Sequence, residues 1–324
     1  MTRDGNLQID LHGLIMEISA SEAVLNAVAN RFADFPSGEM RSPDFRFVIQ
    51  SIRSPALHEI QRPNGPSRAF YQTNIGDALY FPKEDVGYIE YGPGARVWFR
   101  PASGECRISI LQPESDQQLW LATHPLFTIP LQEMLKRRGT YGIHAAGLAR
   151  NGRSLLLQGT SGSGKSTLTI ALLKSGFDWL SDDLVLLDPS DGLHTLAFPE
   201  KIKATQETLS MFAELDAAHG TKLQGWPKYQ LRAQDFFTSS IVWRSVPAVL
   251  VFPVIANRDE SSLSPLTGDE AFLLLSSSVL LTETQSTRSH IGALAELAKT
   301  VPAYRLHTGR DFDQVASLLG ALLQ

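Results

Sequence analysis

Apolar positions along this chain change rhythm once. Over residues 7–111 they fall in short runs of β-formers, at 7–19, 44–52, 68–71, 78–81, 87–91, 96–99 and 106–111, with turn-rich pieces such as Arg62-Pro63-Asn64-Gly65-Pro66 between several of them. One helical segment, about 21–32, interrupts this β-rich stretch, and Ser21 is placed to cap it. Residues 116–138 then take helical spacing through Leu119, Leu121, Leu131, Met134 and Leu135, broken by Pro125 and Pro130. A hand-over within 112–135 predicts a β-rich domain over 1–125 and a second domain over 126–324.

In the second half strands and helices are interspersed, which predicts an α/β fold. Residues 141–149 read as a strand, Asn151-Gly152 as a hairpin turn, 154–158 as a buried strand and 167–174 as a helix stopped by Ser175-Gly176. Further on come a strand over 247–253 and a helix over 268–281 begun by Asp269 and Glu270. Helices at 290–299 and 311–323, with Asp311 as N-cap, flank a short strand at 302–306. His290 and His307 read as surface residues without a role.

Between the buried strand and its helix lies Gly159-Thr160-Ser161-Gly162-Ser163-Gly164-Lys165-Ser166, a complete G-x-x-x-x-G-K-[ST] phosphate loop in the strand–loop–helix setting it requires. Its glycines let successive N–H groups converge on phosphate oxygens, and the helix start through Thr167 adds partial positive charge. Lys165 can reach the terminal phosphates, and the Ser166 hydroxyl can join the shell of a Mg²⁺ ion. ATP and Mg²⁺ are the expected cofactors. Downstream, Asp182 and Asp183 are adjacent carboxylates in apolar company, costly unless a cation is near. One of them can help hold the metal and the other accept a proton from an attacking hydroxyl, its proton affinity raised by burial and by its neighbour.

Composition narrows the class. The chain has 324 residues, 43 % hydrophobic and 19 % charged, with a net charge of −5 and no basic block, so nucleic acid is not an expected partner. Its one cysteine, Cys106, forms no intramolecular disulfide and fits a reducing cytoplasm. The polar amino end reads as no targeting signal, and the apolar segments 248–256 and 271–281 are too short to span a bilayer, so a cytoplasmic protein without membrane attachment is expected.

His144 ahead of a hairpin, the loop, its short helix ending Lys174-Ser175-Gly176, and then Ser181-Asp182-Asp183 together resemble the HPr kinase/phosphorylase family over residues 141–188 and, loosely, to about 320. The resemblance implies a PEP carboxykinase-like P-loop kinase domain. It implies that Asp182 is the general base, that Asp183 is a charge partner or metal neighbour beside Ser166, and that His144 lies near the transferred phosphate. The Gly-rich acidic signature of a true HPr kinase is absent after the Asp pair, where Glu200, Lys201, Lys203 and, further on, Arg258 are candidates for replacement contacts, with solvated surface charge the favoured reading of each. The chain looks more like the HPr-kinase-related proteins of ribosomal peptide maturation, including lasso peptide pathways. The expected activity is therefore phosphorylation of a hydroxyl, favouring a Ser of a peptide or protein. A nucleotide-sensing regulator and a kinase of a small hydroxylated metabolite stay open, as does a homo-oligomer.

Overall fold

The computed structural model describes residues 4–38, 41–73, 76–111, 116–215, 221–222, 228–256 and 258–324. Residues 112–115, where the expected hand-over begins, lie outside them, as do residues 1–3 of the polar amino end. The fold is mixed α/β. By contacts the chain divides into two compact units, Met1–Arg138 with Leu280–Thr287, and Gly139–Val279 with Arg288–Gln324.

The first unit runs β1 (Asp4–Leu11), β2 (Leu14–Ser21), α1 (Glu22–Arg31), β3 (Phe45–Ile52), β4 (Arg68–Thr73), β5 (Gly76–Phe81), β6 (Val86–Tyr91), β7 (Ala95–Arg100), β8 (Glu105–Leu111), α2 (Asp116–Thr123) and α3 (Pro125–Arg137). Among the described residues its sheet has the order β1-β2-β3-β8-β7-β6-β5-β4. β3 runs parallel to both neighbours, which requires a crossover, and α1 supplies it after β2. Phe45, Phe47 and Ile49 of β3 are buried while Arg46, Val48 and Gln50 face out. Phe47 stacks on Phe127 of α3 at 4.1 Å, so α3 packs on the apolar face. Two expectations are corrected here. Residues 7–19 are two strands of a hairpin, with Leu11 opposite Leu14 and His12 at a φ of 55° in the turn. Ser21 stands at the N-cap of α1, but its hydroxyl makes no capping bond.

The second unit begins with β9 (Tyr141–Ile143), β10 (Ala145–Arg150), β11 (Arg153–Gln158), α4 (Lys165–Lys174), β12 (Asp178–Ser181) and β13 (Val185–Asp188). It continues with β14 (His194–Leu196), β15 (Ile202–Thr205), α5 (Gln206–Ser210), β16 (Thr221–Lys222), β17 (Lys228–Leu231), α6 (Ala233–Phe236) and β18 (Arg244–Ile255). Last come β19 (Ser262–Leu266), α7 (Gly268–Leu275), α8 (Thr284–Thr300), whose first residues belong to the first unit, β20 (Ala303–Thr308) and α9 (Phe312–Ala321). Its main sheet follows β12-β10-β11-β18-β14-β13-β9, with β20 on β18 and β19 on β20. Leu155 and Leu157 of β11 enter one core with Leu168 and Leu172 of α4, while Leu156 enters another with Leu275 of α7 and Leu294 of α8. The strand is buried on both faces, which is why it reads as an unbroken apolar run.

Asn151 and Gly152, at φ of 55° and 74°, close the expected hairpin between β10 and β11. The expected helix over 268–281 stops earlier. α7 ends at Leu275 and a 3₁₀ turn, Ser276–Ser278, follows. His290 is not a surface residue, being 3 % exposed and stacked on Tyr141 at 5.1 Å.

Candidate active site

Residues 141–149 are not one strand. The chain breaks at His144, with β9 pairing β13 before it and β10 pairing β11 and β12 after it. Residues 178–188 break at the same level, because Gly147 lies opposite Ser181 and Ile143 opposite Val185. Two antiparallel segments thus part from each other over a few residues. The parting frees His144 on one side and Asp182 and Asp183 on the other. The His144 amide, released from the ladder, donates to Ser278 Oγ at 3.1 Å, and its Nδ1 lies 2.9 Å from the Asp183 carbonyl. With Nδ1 donating to that carbonyl, the other ring nitrogen is an acceptor in the neutral imidazole.

The phosphate loop follows β11. Gly164 sits at the N-cap of α4 with a φ of 92°, a conformation that a side chain would strain. A Cβ at Gly159 would come within 2.6 Å of Ser163 Oγ, so this tight part of the loop also excludes a larger residue. Thr160, Ser161 and Gly162 are exposed. Lys165 is 8 % exposed, and its ammonium donates to the loop's own carbonyls, Gly159 O at 2.6 Å and Thr160 O at 3.3 Å. Thr167 turns to Thr208 Oγ1 at 3.1 Å, tying α4 to α5.

Ser166 Oγ donates to Asp182 Oδ2 at 3.2 Å, and the Lys203 backbone N–H donates to the same oxygen at 3.1 Å. Asp182 is 1 % exposed, and its second oxygen, Oδ1, is buried with no hydrogen-bond partner among the described residues. Burial first, then the Asp183 charge, raise its proton affinity well above the usual carboxylate range. Asp183 differs. Burial pushes its carboxyl up, but the Lys203 ammonium 2.7 Å from Oδ2 prevails and holds it below the usual range. The two neighbours are driven apart by opposite surroundings. Burial lowers Lys165 against the pull of Asp183 and Asp182. Burial by the protein beneath the ring also outweighs Asp183 at His144, lowering its proton affinity although the residue keeps an exposed edge. Its imidazole is therefore neutral at pH 7 in the ligand-free protein.

For Lys203 and Glu200 the favoured reading as solvated charges is corrected in favour of the other, a contact at the site. Glu200 is buried, and Lys203, half-buried on β15, is drawn to Glu200 and Asp183 together. A lysine at an alternating strand position carries no sequence sign of its partner. Arg258 is exposed and bonds to Ser262 on its own loop. Among the described residues no group of three or more His, Cys, Asp or Glu is placed to hold a metal. Ser166 with the unpartnered oxygen of Asp182 nevertheless suits a hard divalent cation, which takes oxygen ligands and shares its shell with nucleotide phosphates.

No family model and no curated protein matches the chain. Among solved structures it is similar to the Hpr(Ser) kinase/phosphatase from Coxiella burnetii, at 12 % identity and a TM-score of 0.31, over 56 % of this chain and 94 % of that one. A likeness at that score carries no argument about chemistry. No helix among the described residues is long and apolar enough to cross a membrane.

Proposed function

We propose that this chain is an ATP- and Mg²⁺-dependent, HPr-kinase-like phosphotransferase. In this reading a PEP carboxykinase-like P-loop domain, expected over residues 126–324, follows the β-rich domain, expected over residues 1–125, along the chain, whereas the compact units divide after Arg138. The favoured acceptor is a hydroxyl of a peptide or protein Ser, such as a ribosomal peptide precursor in the cytoplasm. The observation that carries the reading is the contact of Ser166 with Asp182. It joins a phosphate loop to a buried carboxylate that keeps one oxygen free. A nucleotide sensor needs the loop and a metal ligand but no second carboxylate to accept a proton.

In this reading residues 159–167 cradle the phosphates and Lys165 leaves its loop carbonyls for the terminal phosphates. The acceptor oxygen bonds to the γ-phosphorus while the bond to the β–γ bridging oxygen breaks, and ADP departs with that oxygen. Asp182 takes the hydroxyl proton, which its raised proton affinity suits. Ser166 and Asp183 would hold Mg²⁺, which would offset charge on the phosphates when bound with nucleotide. His144, anchored on the Asp183 carbonyl through Nδ1, has its other ring nitrogen available to the transferred phosphate. One observation favours exchanging the two carboxylates: Ser166 bonds to Asp182 and not to Asp183.

One set of variants tests these roles. Lys165→Ala should abolish Mg·ATP binding in a folded protein. Asp182→Asn should keep ATP affinity within a few-fold while cutting label transfer to Ser-containing peptides by about 10²–10⁴. Asp183→Asn should weaken the Mg²⁺-dependent part of ATP affinity. If the two Asn phenotypes are swapped, the carboxylates exchange roles. Tight Mg·ATP binding by wild type without transfer to peptides, proteins or small hydroxyl compounds establishes the sensor instead. Transfer to small compounds alone establishes the metabolite kinase.

A further inference from the structure

Lys203 touches both members of the carboxylate pair. Its backbone N–H is bonded to Asp182 Oδ2 at 3.1 Å and its ammonium to Asp183 Oδ2 at 2.7 Å. It comes from β15, which pairs with β17 and lies outside the main sheet that carries the phosphate loop. Among the described residues it is the one cation in an ion pair with Asp182 or Asp183. Only 18 % of its side chain and 33 % of that of Asp183 reach solvent, so the charge it supplies is poorly replaced by water.

We propose that Lys203 is a built-in counter-cation that competes with a divalent metal for the carboxylate pair, so that the protein binds metal together with nucleotide and not alone. This rests on the phosphate-loop reading of the site. The physical argument has two sides. Two adjacent carboxylates with little solvent are costly without positive charge, and Lys203 meets that need in the absence of metal. The same ammonium occupies Asp183 Oδ2 and repels an incoming dication. What remains for a bare ion is Ser166 Oγ and the unpartnered Asp182 Oδ1, too few protein ligands for an oxygen-seeking cation to hold firmly. Nucleotide phosphates supply the missing oxygens and negative charge, and both tilt the competition toward the metal. Lys203 is thus a positioning residue that makes metal entry conditional on nucleotide.

The probe is Mn²⁺ without nucleotide, followed by calorimetry and by the spin-resonance signal of the free ion, on the full chain. Wild type and Lys203→Arg should show weak binding only. Lys203→Met should bind Mn²⁺ at least about tenfold more tightly, because the competing charge is gone. Adding Asp183→Asn to Lys203→Met should remove that gain, which places it at the pair. Lys203→Gln, closer in polarity, serves as the second neutral variant should Lys203→Met fail to fold. Equal or weaker Mn²⁺ affinity in a folded Lys203→Met or Lys203→Gln protein overturns the proposal. So does a gain that survives Asp183→Asn. Mg·ATP affinity of wild type is measured in parallel. Its absence overturns the phosphate-loop reading itself, whereas its presence with no gain in the neutral variants overturns only the role of Lys203.

Discussion

Asp182 carries the largest tension of any residue in the site. It is fully enclosed, accepts bonds from Ser166 and the Lys203 amide on one oxygen, and leaves the other without a partner among the described residues. Burial and the adjacent Asp183 raise its proton affinity to about 7 from an ordinary 3.8. A carboxyl that binds its proton more tightly when folded contributes stability that is fully present below the ordinary value. That contribution is lost as pH rises through the folded value. The metal-free protein should therefore lose stability between about pH 4 and pH 7 through this group. Asp182→Asn, neutral at every pH and able to keep both accepted bonds, should match wild type near pH 4. In chelator at pH 8 it should melt roughly 5 °C higher. Melting curves across pH check this, and a variant less stable than wild type at pH 8 contradicts it. The residue proposed as general base is then one that the fold alone would discard. Much of this was invisible in sequence. The Asp pair, its apolar neighbours and the upward push of burial were legible, but Lys203, which holds Asp183 low and so separates the two, comes from a strand 20 residues away and was not.

At the scale of elements, local rules were legible where they stand alone. The phosphate loop, the Asn151–Gly152 turn and the Asp311 cap, which accepts from Gln314 N at 2.9 Å, follow from short-range chemistry. The breaks at His144 and at Asp182–Asp183 were not legible, because apolar residues on both sides hide a change of strand partner. The hairpin at His12–Gly13 escaped for a related reason, since apolar spacing continues across the turn. At α7 the sequence reading credited Asp269 and Glu270 with the start, whereas the cap is Thr267. Its hydroxyl accepts from Glu270 N at 3.3 Å while the Glu270 carboxylate accepts from Thr267 N at 2.8 Å. This reciprocal pair fixes the start of a helix that runs on into the 3₁₀ turn holding Ser278, the partner of the His144 amide. Thr267→Ala should cost about 1 kcal/mol, measured by denaturant unfolding. A change within error would show that packing of Ala271 and Leu275 alone sets the helix.

The chain returns once, briefly, to the first unit. Residues Leu280–Thr287 belong to the first unit although the chain on both sides belongs to the second. Charge holds that segment. Lys136 Nζ donates to Leu280 O at 2.9 Å and Thr282 Oγ1 at 2.7 Å, and pairs with Glu133 at 2.7 Å, with both charged side chains at most 3 % exposed. Thr282 in turn donates to Glu133. Arg137 reaches Glu283 at 2.9 Å and also pairs with Asp85. Burial raises Glu133 and lowers Lys136, each against the attraction of the other, so the pair is strained toward neutrality yet held by its own contact and by Thr282, which bonds to both. A buried pair of this kind adds little over an apolar pair of equal volume, but losing one partner is expensive. Lys136→Met leaves the buried Glu133 carboxylate with the Thr282 hydroxyl but no counter-charge, and should destabilise the first unit by about 3–5 kcal/mol. Glu133→Met combined with Lys136→Met should recover most of that loss, because no buried charge then remains. Calorimetric scans of wild type, the single variant and the pair decide the matter. If the double variant unfolds as early as the single one, the segment is held by its hydrogen bonds to Lys136 and not by the balance of the two charges.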